Sequence, residues 1–236
     1  MKTILVIVCF LICLSSYTQK GQVTFGFQYK PILPVEFLNV ENLSLTNDDL
    51  SVDFTQTLGL NFGGVIRWNI LKRLSLESGI NYVRRNFKYE ASVASSGATG
   101  TDDFSIVGYE TPIKGLVIVQ LSRSSFISAA TGITTSWTAS SVASGTEDKN
   151  FRQYTNAKKL NLALIANVGY EFKTDKSGTF YFGASLNSPF QAIGVTEVIY
   201  DDLANEEQKI RGALLGNYLT LDLRYYFHED KSKSKR

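Results

Sequence analysis

The segment LNLALIANVGYEF, residues 160–172, alternates without a break. Leu160, Leu162, Leu164, Ala166, Val168, Tyr170 and Phe172 form one set; Asn161, Asn167 and Glu171 belong to the other. A period of two puts each set on one face of a β-strand, because successive side chains point to opposite sides. The apolar face carries no charge and ends in two aromatics. The only ionised group, Glu171, lies on the opposite face.

The same pattern recurs in both directions. Val23, Phe25, Phe27 and Tyr29 alternate with Thr24, Gly26, Gln28 and Lys30; Leu58, Leu60, Phe62, Ile66 and Trp68 alternate with Thr57, Gly59, Asn61, Val65 and Arg67. Leu74, Leu76, Ile80 and Tyr82 form another stripe, as do Phe180, Phe182, Ala184 and Leu186. Leu219, Leu221, Leu223, Tyr225 and Phe227 form the last. Segments 109–121 and 126–136 alternate less cleanly and are read as two more strands. The sum is about eight strands of roughly 9–12 residues, the length that crosses a bilayer at a tilt. Connections alternate between tight ones, at 71–73, 122–125 and 173–178, and long ones, at 31–55, 90–103, 140–157 and 189–215. The expected fold is all-β: a single antiparallel up-and-down transmembrane β-barrel occupying 19–227. Its short turns would face the periplasm and its long loops the outside.

Alternation alone does not say which face is outside, since a soluble lipocalin-like barrel turns its apolar face inward. Three features favour lipid outside. The apolar stripes carry no charge; they tend to end in aromatics, as membrane interfaces require; and the other face carries ions of both signs. Those ions are Lys30, Arg67, Lys114 and Arg224 against Glu77, Glu110, Glu171 and Asp222. An eight-stranded barrel is just wide enough for side chains to fill it, and buried charges must pair. These eight residues are therefore expected to form an interior charge network that fills the lumen.

The N-terminus precedes this pattern with Lys2, an unbroken apolar run from Ile4 to Leu14, and Ser15-Ser16. A run of that length reads as a secretory signal peptide, taken as residues 1–18, and is short for a spanning helix. Both cysteines, Cys9 and Cys13, fall inside it, so the mature chain would contain no thiol. Residues 228–236, HEDKSKSKR, would form a charged periplasmic tail. With 24 basic against 22 acidic residues, no basic face for nucleic acid is indicated.

The segment GYETPIKGLVIVQ resembles the Tyr-x-Glu-x-Pro-x-hydrophobic strand of the PorT-like outer-membrane β-barrel proteins, with Tyr109, Glu110 and Pro112 in matching order and Thr111 in place of an aliphatic residue. NLALIANVGYEF and TFYFGASLNSPFQAIG resemble later strands of that family. The resemblance implies an eight-stranded barrel, an outer-membrane location and no assigned enzymatic activity. The terminal strand GNYLTLDLRYYF resembles the signal read by the barrel-insertion machinery, although nine residues follow Phe227.

Proline cannot donate to a ladder, so a bulge or kink is expected around Glu110 to Pro112. The single histidine, His228, cannot build a Ser/His/Asp arrangement. Asp48-Asp49, Asp102-Asp103, Asp201-Asp202 and Glu206-Glu207 fall in expected loops with no metal-ligand spacing. No cofactor is indicated. Arg84, Arg85, Lys158 and Lys159 lie near the outer strand ends, where they could contact lipopolysaccharide phosphates. The expected partners are outer-membrane lipid, the insertion machinery and other envelope proteins. The leading function is a non-enzymatic barrel, structural or part of a surface or secretion assembly. Small-solute transport and a soluble periplasmic ligand-binding barrel are the alternatives.

Overall fold

The computed structural model describes residues 22–34, 43–47, 49–139, 141–146, 150–201 and 207–228, and every regular element within them is a strand. The expected signal peptide, and the tail beyond His228, lie outside the described residues. In chain order the strands are β1 (Val23–Leu33), β2 (Leu43–Asn47), β3 (Leu50–Asn69), β4 (Leu74–Val93), β5 (Thr99–Gln120), β6 (Ser125–Thr138) and β7 (Val142–Gly145). There follow β8 (Phe151–Ala157), β9 (Leu160–Lys173), β10 (Thr179–Pro189), β11 (Gly194–Tyr200), β12 (Gln208–Leu214) and β13 (Tyr218–Tyr226).

Eight of them close a ring in the order β1-β13-β10-β9-β6-β5-β4-β3, and β3 pairs back to β1. All neighbours are antiparallel. Closure pairs every ring strand on both sides within the barrel, while the Thr99–Val107 part of β5 pairs with β4 alone. The three tight connections and both described chain ends gather at one end of the barrel, hereafter the turn end. In the turn before β10, Gly178 takes a φ of 91°, a conformation that L side chains rarely adopt.

The barrel is inside-out. Phe27 and Ile80 on its outer wall are 63% and 66% exposed, and Trp68, Ile113, Leu162, Val168, Phe182 and Leu221 share that wall. Lys30, Arg67, Glu77, Lys114, Glu171, Asp222 and Arg224 point inward and are buried. This excludes the lipocalin-like alternative, whose apolar face would line the interior.

Two expectations are corrected. The bulge at Pro112 is absent: β4 and β5 keep one register on either side of it, Ser78 opposite Ile113 and Asn81 opposite Glu110. The missing donor is absorbed by a gap in the ladder and not by an extra residue. The register does shift between β3 and β4, at Thr57–Leu60. Second, the long connections are not simply loops. β3, β4 and β5 run for 20, 20 and 22 residues, about twice the expected length. Residues 90–103 continue β4 and β5 to a short tip, where Gly97 (φ 66°) donates its backbone N–H to the Val93 carbonyl.

Along these extensions the amphipathic pattern reverses. On β4 the outward series is Leu74, Leu76, Ile80, Tyr82, then Arg84, Asn86, Lys88, Glu90 and Ser92. The inward series is Ser75, Glu77, Asn81, then Val83, Phe87, Tyr89, Ala91 and Val93, with Arg85 as the one late polar member. β3 does the same from its other end, with Val52 and Phe54 buried and Asp53 exposed. A strand keeps its alternation while its surroundings exchange. Past Tyr82 the outward side chains are polar and the inward ones join an apolar core.

That core belongs to a head. The connection from β6 to β9 supplies β7 and β8, and the connection from β10 to β13 supplies β11 and β12. Together they form a second sheet in the order β12-β11-β8-β7. One face of this sheet lies over the inward face of the β3–β4–β5 extension. Sixteen buried residues join the two layers, among them Phe54, Phe87, Tyr89, Phe104, Phe151, Val198 and Tyr200. Phe87 and Phe104 stack with centroids 5.4 Å apart, and Phe151 and Tyr200 meet at 4.9 Å. β2 lies against the head as well, with Leu43 and Leu45 packed on the core.

Candidate functional site

The lumen holds three tiers of buried charge. Nearest the turn end, Arg67 on β3 donates from Nη1 to Glu171 on β9 at 2.8 Å. β3 and β9 stand opposite in a ring of eight, so this bond spans the full diameter. The middle tier centres on Glu77 on β4, which is 0% exposed. It accepts from Lys114 at 2.5 Å, Arg224 at 2.6 Å, Arg67 at 3.2 Å and the Tyr226 hydroxyl at 2.7 Å. Asp222 holds Lys30 at 3.5 Å and also pairs with Arg224, while Ser185 and Thr220 donate to it. The tier nearest the head is separate. Arg85 donates to Glu110 at 2.7 Å, and Tyr218 on the opposite strand β13 donates to the same carboxylate at 2.6 Å.

All eight residues of the expected network are thus inside, seven of them linked and Glu110 paired apart. The strand register explains much of this: Glu77 is the cross-strand partner of both Arg67 and Lys114. The reading from sequence left out Tyr181, Tyr218 and Tyr226. Each underlies an arginine: Arg224 over Tyr181 at 4.4 Å, Arg85 over Tyr218 at 5.0 Å and Arg67 over Tyr226 at 4.1 Å. A tyrosine face attracts a guanidinium, and the Tyr218 and Tyr226 hydroxyls also donate to a carboxylate. The available signal was an aromatic on the charge-bearing face of its strand.

Of the four rim cations, Arg85 is a correction. It was expected to reach lipopolysaccharide, but it is buried in the lumen against Glu110. Adjacent residues of a strand face opposite ways, so Arg84 and Arg85 cannot share a side. Arg84 is exposed and bonds to Asn86 and Ser105. Lys158 and Lys159 are exposed, with Lys158 donating to Gln191 at 3.0 Å.

On the head, the outer face of the second sheet presents Tyr154 and Val195 amid paired ions. These are Arg211 with Glu197, Arg152 with Asp201, and Lys209 with Glu207. Burial pushes the Tyr89 hydroxyl up to about 12, and the nearby Asp102 carboxylate acts in the same direction. Among the described residues no group of three His, Cys, Asp or Glu side chains could hold a metal ion.

No family model matches the chain, and no curated protein does. Solved structures do. OprG from Pseudomonas aeruginosa superimposes with a TM-score of 0.51 at 9% identity, over 89% of this chain and 97% of that one. The fold is that of an outer-membrane β-barrel. The protease OmpT from Escherichia coli, at 10% identity, covers 90% of this chain and 100% of its own with a TM-score of 0.38. The translocator domain of the autotransporter NalP from Neisseria meningitidis, at 11% identity, covers 92% and 93% with a TM-score of 0.38.

In this outer-membrane-type barrel the lumen is crossed by side chains at two levels and covered by an apolar head. Among the described residues a cup of about 720 Å³ lies at the turn end. Arg67, Glu171 and Tyr226 line it from the lumen side, and Lys72, Arg123 and Lys173 line it from the three tight turns. His228, the single histidine of the sequence, is also at this cup.

Proposed function

We propose that this chain is an outer-membrane barrel of the PorT-like kind, matured by loss of its signal peptide, that displays a folded β-head on the bacterial surface. The head would bind or assemble with other envelope proteins. The barrel would neither pass solutes nor catalyse a reaction. The observation that carries this reading is the reversal of amphipathicity along β3–β5. Below Tyr82 the outer wall is apolar over about nine residues of β4, which at about 3.3 Å per residue and a tilt near 40° spans about 23 Å. That matches the apolar band of such barrels, about 25 Å tall. Above Tyr82 the outer wall is polar, so the head would stand in water. With the tight turns in the periplasm, the head faces outward. Arg84, Lys158 and Lys159 would then lie at the level of lipopolysaccharide phosphates.

Three supports weigh against passage. Arg67–Glu171 and Tyr218–Glu110 each bridge opposite walls, and the head core covers the far end. A filled lumen gives rigidity, and specificity then falls to the displayed surface.

The test combines location with conduction. Fractionation of tagged cells should place the protein in the outer membrane with heat-modifiable gel mobility. Protease added to intact cells should cut the head connections and spare the tight turns. Purified protein in planar bilayers should give no steady conductance. A stable open channel, or a protein that stays folded and monomeric in buffer without detergent, would overturn the proposal.

A further inference from the structure

The three tight turns carry Lys72, Arg73, Arg123, Lys173 and Lys176 against one carboxylate, Asp175. All six are exposed, and among the described residues none of the five cations has an ion-pair partner. The head differs. Its Lys88, Arg152, Lys209 and Arg211 each meet a carboxylate. Five cations without an ion-pair partner against one carboxylate give the turn end a positive electrostatic field.

Three of the five unpaired cations, Lys72, Arg123 and Lys173, come from three different turns yet line one cavity, the cup of about 720 Å³. That volume suits a ligand of ordinary small-molecule size. The carboxylate at its lumen end, Glu171, does not repel an anion, because Arg67 neutralises it at 2.8 Å. Asp175 is the one opposing charge at the rim.

We propose that the turn-end cup binds a small polyanion carrying several phosphate groups, held by Lys72, Arg123 and Lys173. Separate cations around a cavity suit an anion whose charges are spread over several oxygens. Arginine offers forked donors and lysine point charges to phosphate. The orientation, though not the binding, rests on the outer-membrane reading: in that setting the cup opens to the periplasm.

The same chemistry has two sources, a soluble polyphosphate and an anionic lipid headgroup. The test titrates sodium tripolyphosphate into the full mature chain in phosphatidylcholine nanodiscs, followed by calorimetry. The expected result is saturable one-to-one binding that weakens about tenfold or more in the triple variant K72Q/R123Q/K173Q, three exposed contacts each contributing a few-fold. The head variant R152Q/K209Q/R211Q should bind like the parent. Heat-modifiable mobility checks that each variant is folded. Repeating the titration in phosphatidylglycerol nanodiscs separates the sources. Loss of binding there identifies a lipid headgroup as the occupant, and retention identifies a free polyanion. No saturable binding, or equal affinity in the turn triple variant, overturns the proposal. A chain that will not enter nanodiscs refutes the membrane reading instead, and the same titration then runs in buffer.

Discussion

Replacing Glu77 with glutamine keeps the shape of the hub and removes its charge. The consequence follows from what each cation has left. Arg67 retains Glu171 at 2.8 Å, and Arg224 retains Asp222. Among the described residues Lys114 has no second carboxylate in ion-pairing reach; it pairs with Glu77, at 2.5 Å, and is 2% exposed. The change therefore breaks one fully buried pair and leaves the others partly compensated. Removing one partner of such a pair costs about 3–5 kcal/mol, or between about two and four decades in the ratio of folded to unfolded protein. Against a total stability of about 5–15 kcal/mol this is a large loss. Pairing E77Q with K114M removes the stranded ammonium, and an apolar replacement of a whole buried pair is often neutral. The double variant should recover at least half of the loss. The assay is equilibrium urea unfolding from phospholipid vesicles, followed by gel mobility and by the fluorescence of Trp68 and Trp137, both on the outer wall. An E77Q protein within about 1 kcal/mol of the parent, or a double variant no better than the single one, would refute this assignment of the hub.

Four further outcomes are expected. Tyr218→Phe removes the donor to Glu110 and should cost about 1.5–3 kcal/mol, whereas Tyr181→Phe, whose hydroxyl has no hydrogen-bond partner among the described residues, should be nearly neutral; similar urea midpoints for the two would contradict this. On the outer wall of β4, Ile80→Arg should destabilise the vesicle-bound barrel by about 2–4 kcal/mol, while Ser92→Arg on the same side of the strand should stay within about 0.5 kcal/mol; equal effects would place the polar boundary elsewhere. Phe104→Ala opens the head core beside Phe54 and Phe87, at a local cost of about 3–5 kcal/mol, and limited proteolysis should then cut the head while the barrel keeps its mobility. The fold keeps Tyr89 neutral up to about 12, whereas an unfolded tyrosine ionises near 10. Head stability should accordingly fall as pH rises between those values, less so in Tyr89→Phe, and identical protease-resistance profiles would count against it.

The barrel was legible because lipid and lumen differ so strongly. Residues 160–172 show it best, with every second side chain apolar and the one charge on the other face. The interior ions were legible for the same reason. The head was not, because its strands lack that contrast. In β8, Phe151, Gln153, Thr155 and Ala157 point inward, so half the buried face is polar. In β11, Val195 and Ile199 lie on the side away from the core. Such segments read as polar connections until the opposing layer is known. The extension of β4 could have been read further: Phe87, Tyr89, Ala91 and Val93 continue the alternation after Arg85, with the greasy set now on the opposite face. Following that parity would also have turned Arg85 inward.

Because β3, β4 and β5 pass from barrel to head as continuous strands, the head is cantilevered from the barrel wall. Its reach is set by strand length: from Arg85 to Val93 the chain rises about 26 Å along the strand axis. On the proposed function, a partner docking there would meet a platform whose height is set by those strands, and a pull on the head would be carried as load through the wall strands to the turns.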